Sequence, residues 1–503
     1  MRVDEVARRG GREQQDAAGG ALRHLFPASP PSAARSPGRL LAFVAAQLAA
    51  VALGAAALLF RIPGLPSWDT IYGEDYWEFF RQALQQPWHL FLEYNGYEQL
   101  VPRVLAQFAA YLPLPEVTPF LTVSGTVVAA ACGLFVFHAS AGHVRSAGLR
   151  ALLGVAVVLL PIAPMEIADS GVNTPWYLLL AMFWALLWRP RTPAGMAVAA
   201  FVAFAAASSN SVNALFVPMA AARLYALRRP REQAATAGWV AGCLVQIPEV
   251  LPSYWSGHSR LANKPGPFGH SLAFYAHDVV LPSLGWHLAL ALEWLVGRDG
   301  ATMIVALILA AIIVAIVITQ PENRLFVVNA LLAGFFFSMF GTTLTPHLAI
   351  QTVSAENEPG SRYTALPIFV IECIAVVGVD YARRRRPVVA HRHRGARLRP
   401  ARLRPARLRP AWVVSALVVI LAANWIADFR YAGIRSNASW DWGPIAARWE
   451  HACEQSRSGV IVEKAGPDRY SLPCTHIAPY RGPRALPNRK RSLVTDMCTR
   501  ARR

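Results

Sequence analysis

Between Asp69 and Arg103 the chain reads DTIYGEDYWEFFRQALQQPWHLFLEYNGYEQLVPR, which sets Asp69, Glu74, Asp75, Glu78, Glu93 and Glu98 among aromatic side chains. Carboxylates against an apolar wall have pKa values raised by desolvation or lowered by a nearby cation. Such groups can act as a general base toward a hydroxyl, or hold Mg²⁺ or Mn²⁺ that carries a phosphate. Glu74, Asp75 and Asp69 are therefore the candidate catalytic acids, with Asp75 also a candidate metal ligand. The same cluster reads equally as helix capping, in which Asp69 or Asp75 bonds free amides. Both readings stand at this point.

Chemistry on a phosphate needs cations as well. Arg103 and Arg362 (in GSRY) are candidate phosphate contacts, joined by His258 and Arg260. A guanidinium fork suits phosphate oxygens bidentately, although an arginine at a membrane surface also serves by snorkelling. Tyr94 and Trp88 are candidates for stacking on a sugar, as are Trp176 and Tyr177 in NTPWY. Aromatic anchoring at a membrane interface is the competing role for all four.

The elements that must position these residues are apolar. The chain has 503 residues, 54% of them hydrophobic and 16% charged. Apolar runs long enough to cross a bilayer as helix recur throughout. Runs such as Leu40–Phe60 and Met303–Thr319 carry no polar stripe, which excludes an ordinary helical core. Their repetition excludes a secreted protein with one signal peptide. The expected fold is an all-α polytopic membrane protein with about 11 transmembrane helices.

Arginines between the runs set the expected orientation in the cell membrane, with the N-terminus cytoplasmic and the C-terminus extracytoplasmic. Residues 1–39 read as a disordered cytoplasmic segment and 40–427 as the transmembrane domain. Within it, 61–118 form a large first extracytoplasmic loop, and 252–300 an outer loop whose Val279–Val296 stretch is read as re-entrant or interfacial. Residues 382–410 form a cytoplasmic linker containing ARLRP three times in tandem, and 428–503 an extracytoplasmic tail. A Cys453–Cys474 bridge suits that tail on the oxidising side, with free thiols as the alternative. The tail is too short to supply much core alone and is expected to lean on the membrane part.

Two amphipathic helices are expected in the first loop. Tyr76, Phe79, Phe80, Ala83 and Leu84 share one face of a helix over Tyr76–Phe91. From Tyr97 onward Leu100, Val104, Leu105, Phe108 and Leu112 line a second, opposite a polar row of Gln99, Arg103 and Gln107. Such helices lie in the membrane interface and frame a cleft there.

The net charge of +19 does not point to nucleic acid, because the basic residues fall in short segments between apolar runs and no binding module accompanies them. Cys132, Cys243 and Cys373 sit inside apolar runs, and no metal-type CxxC spacing occurs. GxxxxGKS, HExxH and GxSxG are absent, which leaves ATPase, zincin and hydrolase readings unsupported.

An acidic motif in the first large outer loop, juxtamembrane amphipathic helices, some eleven crossings and an outer C-terminal tail together resemble the GT-C superfamily of integral-membrane glycosyltransferases. The motif that carries the resemblance is Glu74-Asp75, with Asp69 nearby, and no DxD is present. The resemblance implies transfer of a sugar from a polyprenyl-phosphate donor to an extracytoplasmic acceptor, with one of these acids as base or as metal-mediated holder of the donor phosphate. The implied partners are the lipid-linked donor and membrane lipids. The alternatives are a transporter or flippase of a lipid-linked saccharide, which needs mid-membrane ionisable groups such as Glu249 or Glu372, and a non-catalytic envelope assembly protein.

Overall fold

The structure is a computed structural model that describes residues 22–30, 36–61, 64, 66–94, 96–160, 167, 169–255, 268–344, 362–384, 410–429, 439–465 and 468–477. His258, Arg260 and nearly all of the ARLRP repeat lie outside these residues. The architecture is helical. Among the described residues, six helices are long and apolar enough to cross a membrane.

Helix α1 (Pro37–Leu59) leads to strand β1 (Thr70–Tyr72), a π-helical turn at Asp75–Phe80, α2 (Arg81–Gln85) and α3 (Leu100–Ala109). Then come α4 (Leu114–Ala139), α5 (Ala147–Val158), α6 (Thr174–Leu187), α7 (Pro193–Ser209), α8 (Val217–Ala226) and α9 (Ala234–Trp255). The second half holds α10 (Phe268–Phe274), α11 (Trp286–Thr319), α12 (Arg324–Leu344), α13 (Arg362–Arg384) and α14 (Pro410–Ala427). The tail adds β2 (Ser439–Asp441), α15 (Trp442–Gln455), and the hairpin of β3 (Val460–Ala465) with β4 (Asp468–Pro473).

The apolar runs become helices because nothing interrupts them, and α6 shows the consequence most clearly: it is apolar on all sides and every residue of it is buried. Shorter helices survive because their ends are supplied with partners. Helix α5 has 12 residues. The Asp380 carboxylate accepts from Arg145 N and Ser146 N at 2.9 Å ahead of its first turn. At the other end Arg61, fully buried, donates to Val158 O at 2.9 Å and Leu160 O at 2.6 Å. Terminal helix groups without water or a partner are costly in apolar surroundings. Arg223 does the same for α6, donating to Leu186 O at 2.5 Å. Helices α4 and α5 also touch backbone to backbone, since a Cβ on Gly133 would stand 2.6 Å from Gly154 O.

These contacts define two ends of the bundle. One gathers arginine-rich turns, where Arg384 donates to His143 O and Arg189 meets Glu232. The other carries the first loop, where Val101 N donates to Ser209 Oγ and Gln246 bonds both Glu98 and Ala207.

Three expectations change in detail. The first loop helix stops at Gln85 rather than Phe91, because Pro87 forces the residue before it out of the helical region and Trp88 takes a positive φ of 64°. The second loop helix is turned inside out. Its polar row Gln99, Arg103 and Gln107 is buried, while Phe108 is 51% exposed. An apolar face turned outward suits contact with lipid better than with water. Val279–Val296 is not one helix: Gly285, at φ 116°, breaks it ahead of Trp286, and Gly297 kinks α11.

The tail joins the first loop directly. Strands β1 and β2 pair antiparallel, with Tyr72 opposite Ser439, and Trp442 Nε1 donates to Leu114 O at 2.6 Å. Trp442 and Trp449 pack on Tyr76 in an apolar cluster separate from the main core. Cys453 and Cys474 are bridged. Deleting the tail would therefore strip the strand that pairs with β1. Replacing Cys453 and Cys474 together by Ser frees a loop of sequence separation 21. Loss of about 3 kcal/mol is expected, read as a lowered unfolding midpoint of the tryptophan fluorescence with the helical circular dichroism retained.

Candidate functional site

The first-loop acids flank β1, Asp69 before it and Glu74 and Asp75 after it, and their fates differ. Asp75 is buried, and its carboxylate is spent on the turn before α6. Ser170 Oγ donates to Oδ2 at 2.8 Å, Gly171 N to Oδ2 at 3.1 Å and Val172 N to Oδ1 at 2.7 Å. Asp69 is exposed, and its backbone carbonyl accepts from Trp442 N at 2.9 Å. Glu74 is only half-buried, and Tyr94 Oη donates to its Oε1 at 2.7 Å.

Glu74 faces a small cleft of about 10 Å³, whose other walls include Tyr97, Gln99, Asn173, Trp176 and Arg362. Arg362 stands in the first turn of α13, its Cζ 5.9 Å from the centroid of the Trp176 ring. An acid from the first loop and an arginine far along the chain thus face one cavity, with an indole between α6 and α13. Aromatic faces hold guanidinium groups by cation–π attraction. The cleft brings together a carboxylate, a guanidinium and a buried indole.

Arg103 is placed differently from the expectation of a phosphate contact. It is buried, with Nε 3.3 Å from Glu98 Oε1, Nη1 donating to Gln82 Oε1 at 2.7 Å and Nη2 to the Glu93 carbonyl at 3.3 Å. Its charge is committed to holding the loop together. Trp88 is 54% exposed on the outer side of α3, donating Nε1 to Tyr111 Oη at 2.7 Å and touching Phe108 edge-on. That is the arrangement of an interface anchor. Tyr94 alone of the first-loop aromatics proposed for the site reaches an acid there. His277 and Asp278 do not pair with each other: Asp278 meets Arg298 at 2.8 Å, and His277 Nδ1 meets Thr302 Oγ1 at 3.0 Å.

A divalent ion does not fit around Asp75. Its oxygens already accept three hydrogen bonds, and among the described residues no group of three or more His, Cys, Asp or Glu gathers that could hold a metal.

Several residues at this end carry no site role in the sequence reading. Asp169 is buried at a positive φ of 55° and accepts from Ser67 Oγ at 2.8 Å. Glu98, fully buried, is pushed up to about 8 by desolvation, against the pull of Arg103. Asn173 and Gln99 line the pocket. The available signal was a run of uncharged polar residues at the ends of apolar segments that share one end of the bundle. No protein-family model, curated protein or solved structure matches the chain.

Glu98 makes a pH prediction. Its folded value, about 8, lies above the ordinary carboxyl value of about 4.3. The folded state then binds the proton more tightly than the unfolded state, so this group's contribution to stability is greatest at low pH and is lost as pH rises toward 8. Glu98→Gln should remove that decline. The wild-type minus variant difference in thermal midpoint, followed from pH 5 to 9 (roughly the span between the two values), measures it.

Proposed function

We propose that the chain is a membrane glycosyltransferase that moves a sugar from a polyprenyl-phosphate donor to an acceptor hydroxyl on the outer side of the membrane. The observation that carries this reading is the meeting of Glu74 and Arg362 in one pocket against Trp176. Acid, cation and indole are what such a transfer asks of a protein. A carboxylate takes the acceptor proton as the new bond forms. A guanidinium steadies the phosphate that leaves with the lipid, and an aromatic face receives the sugar ring.

In this reading Glu74 is the base, oriented by Tyr94, and Asp75 is a positioning residue that fixes the turn beside it. Arg362 contacts the donor phosphate and Trp176 the sugar. The end of the bundle carrying the first loop faces outward, the arginine-rich end faces the cytoplasm, and about eleven helices cross. A flippase reading is favoured less: the groove that contains Glu372 offers no Arg, Lys or His to a phosphate-bearing cargo.

Replacing Glu74 by Gln should lower transfer from a polyprenyl-phosphate sugar by a factor of about 10²–10⁴, with the unfolding midpoint unchanged. Asp75→Asn should instead cost about 1–3 kcal/mol of stability, because it removes an acceptor from buried donors. Arg362→Ala should raise the donor KM. Unchanged transfer by a folded Glu74→Gln protein would refute the assignment. A reporter placed after Gly73 should be active only outside the cytoplasm, and cytoplasmic activity would overturn the orientation.

A further inference from the structure

A second ionisable group stands apart from this pocket. Glu372 lies ten residues along α13 from Arg362, roughly 15 Å away at the helical rise, and is 3% exposed. Among the described residues neither its Oε1 nor its Oε2 meets a hydrogen-bond donor. A buried carboxyl without a partner is an expensive feature to keep, and within a membrane-spanning helix it marks a functional position by default.

The surroundings narrow the function. Glu372 borders a groove of about 600 Å³ between α11, α13 and α14, walled by Leu288, Ile308, Ile312, Ile316, Ile374 and Leu421. The other polar side chains on its wall are already spent on the backbone. Ser283 Oγ donates to Val280 O at 2.6 Å, Thr319 Oγ1 to Ala315 O at 2.6 Å and Gln320 Nε2 to Gly378 O at 2.9 Å. The groove therefore presents one unspent polar group on a long apolar surface, and that group is an acid. Among the described residues no Arg, Lys or His lines it. An anionic headgroup would find no partner at this depth, whereas a positive charge would find its complement.

We propose that this groove binds a lipophilic cation: a molecule with an extended apolar body and a single protonated amine or related cationic nitrogen, its charge set against Glu372. The apolar walls take the body by burial. The carboxylate takes the charge where water does not compete, which is where an ion pair is strongest. The site does not depend on the glycosyltransferase reading, since it shares no residue with the Glu74 pocket.

The test uses the full chain in nanodiscs of zwitterionic lipid, with rhodamine 6G as probe and fluorescence anisotropy as readout, against empty nanodiscs. Saturable binding is expected, weakened about tenfold or more by Glu372→Gln, as for loss of a buried charge partner. Ile312→Trp, which narrows the opposite wall, should weaken it too. Dodecylamine should compete and dodecanol should not. Binding no greater than to empty nanodiscs, equal affinity in a folded Glu372→Gln protein, or equal competition by dodecanol would overturn the proposal. Should Glu372→Gln fail to fold, the wild type still decides. Rhodamine 6G should slow modification of Glu372 by dicyclohexylcarbodiimide, located by mass spectrometry, and modification that the dye leaves unslowed counts against the site.

Discussion

The carboxylate of Asp75 is the tie on which the loop end of this protein depends. It draws three donors from residues 170–172, two of them backbone amides, into contact with the turn after β1. Those amides precede α6, the most buried helix of the chain, so the first loop is fastened to the most rigid element available. The strain of bringing a polar loop down onto apolar helices is met by a charge-assisted network rather than by packing alone. Tyr72, Tyr76 and Phe80 then bury against Trp442 and the tail, and the tail's position follows from the loop's.

The same logic recurs at other joints. Three buried charged side chains, Arg61, Arg223 and Asp380, each bond backbone groups at the end of a helix. Water satisfies such groups in a soluble protein. Where a helix is too short to reach the polar boundary, a side chain must do so instead. Helix α3 follows the rule in another form, turning Arg103 and Gln107 inward to partners and Phe108 outward.

This explains what the sequence disclosed and what it withheld. Helices α1, α4, α7, α12 and α13 were legible to within a few residues, because an uninterrupted apolar run has no alternative to helix once water is absent. The apolar face of Tyr76, Phe79, Phe80, Ala83 and Leu84 was legible too, and all five are buried. The stop at Gln85 was written in Pro87 and overridden by the amphipathic pattern beyond it. The sense of α3 was not legible, because periodicity shows that a helix has two faces and not which face meets lipid. Nor could the approach of Glu74 and Arg362 to one cleft be read, since it arises only when α6 and α13 bring Trp176 and Tyr363 together. Long-range juxtaposition leaves no mark at either position alone.

Glu74 and Asp75 show how far adjacent identical chemistry can diverge. Glu74 is the residue before the π-helical turn and Asp75 its first, and adjacent helical side chains point in different directions, here one into the 170–172 turn and the other toward the pocket. Asp75 gains three donors and with them a fixed geometry. Glu74 keeps one, from Tyr94, and so retains an oxygen for another group. A base must be held firmly and left partly unsatisfied, two demands that a single carboxylate meets poorly. Dividing them between neighbours lets the buried acid supply rigidity while the half-buried one stays available, and that division is why the proposed base is Glu74 and not Asp75.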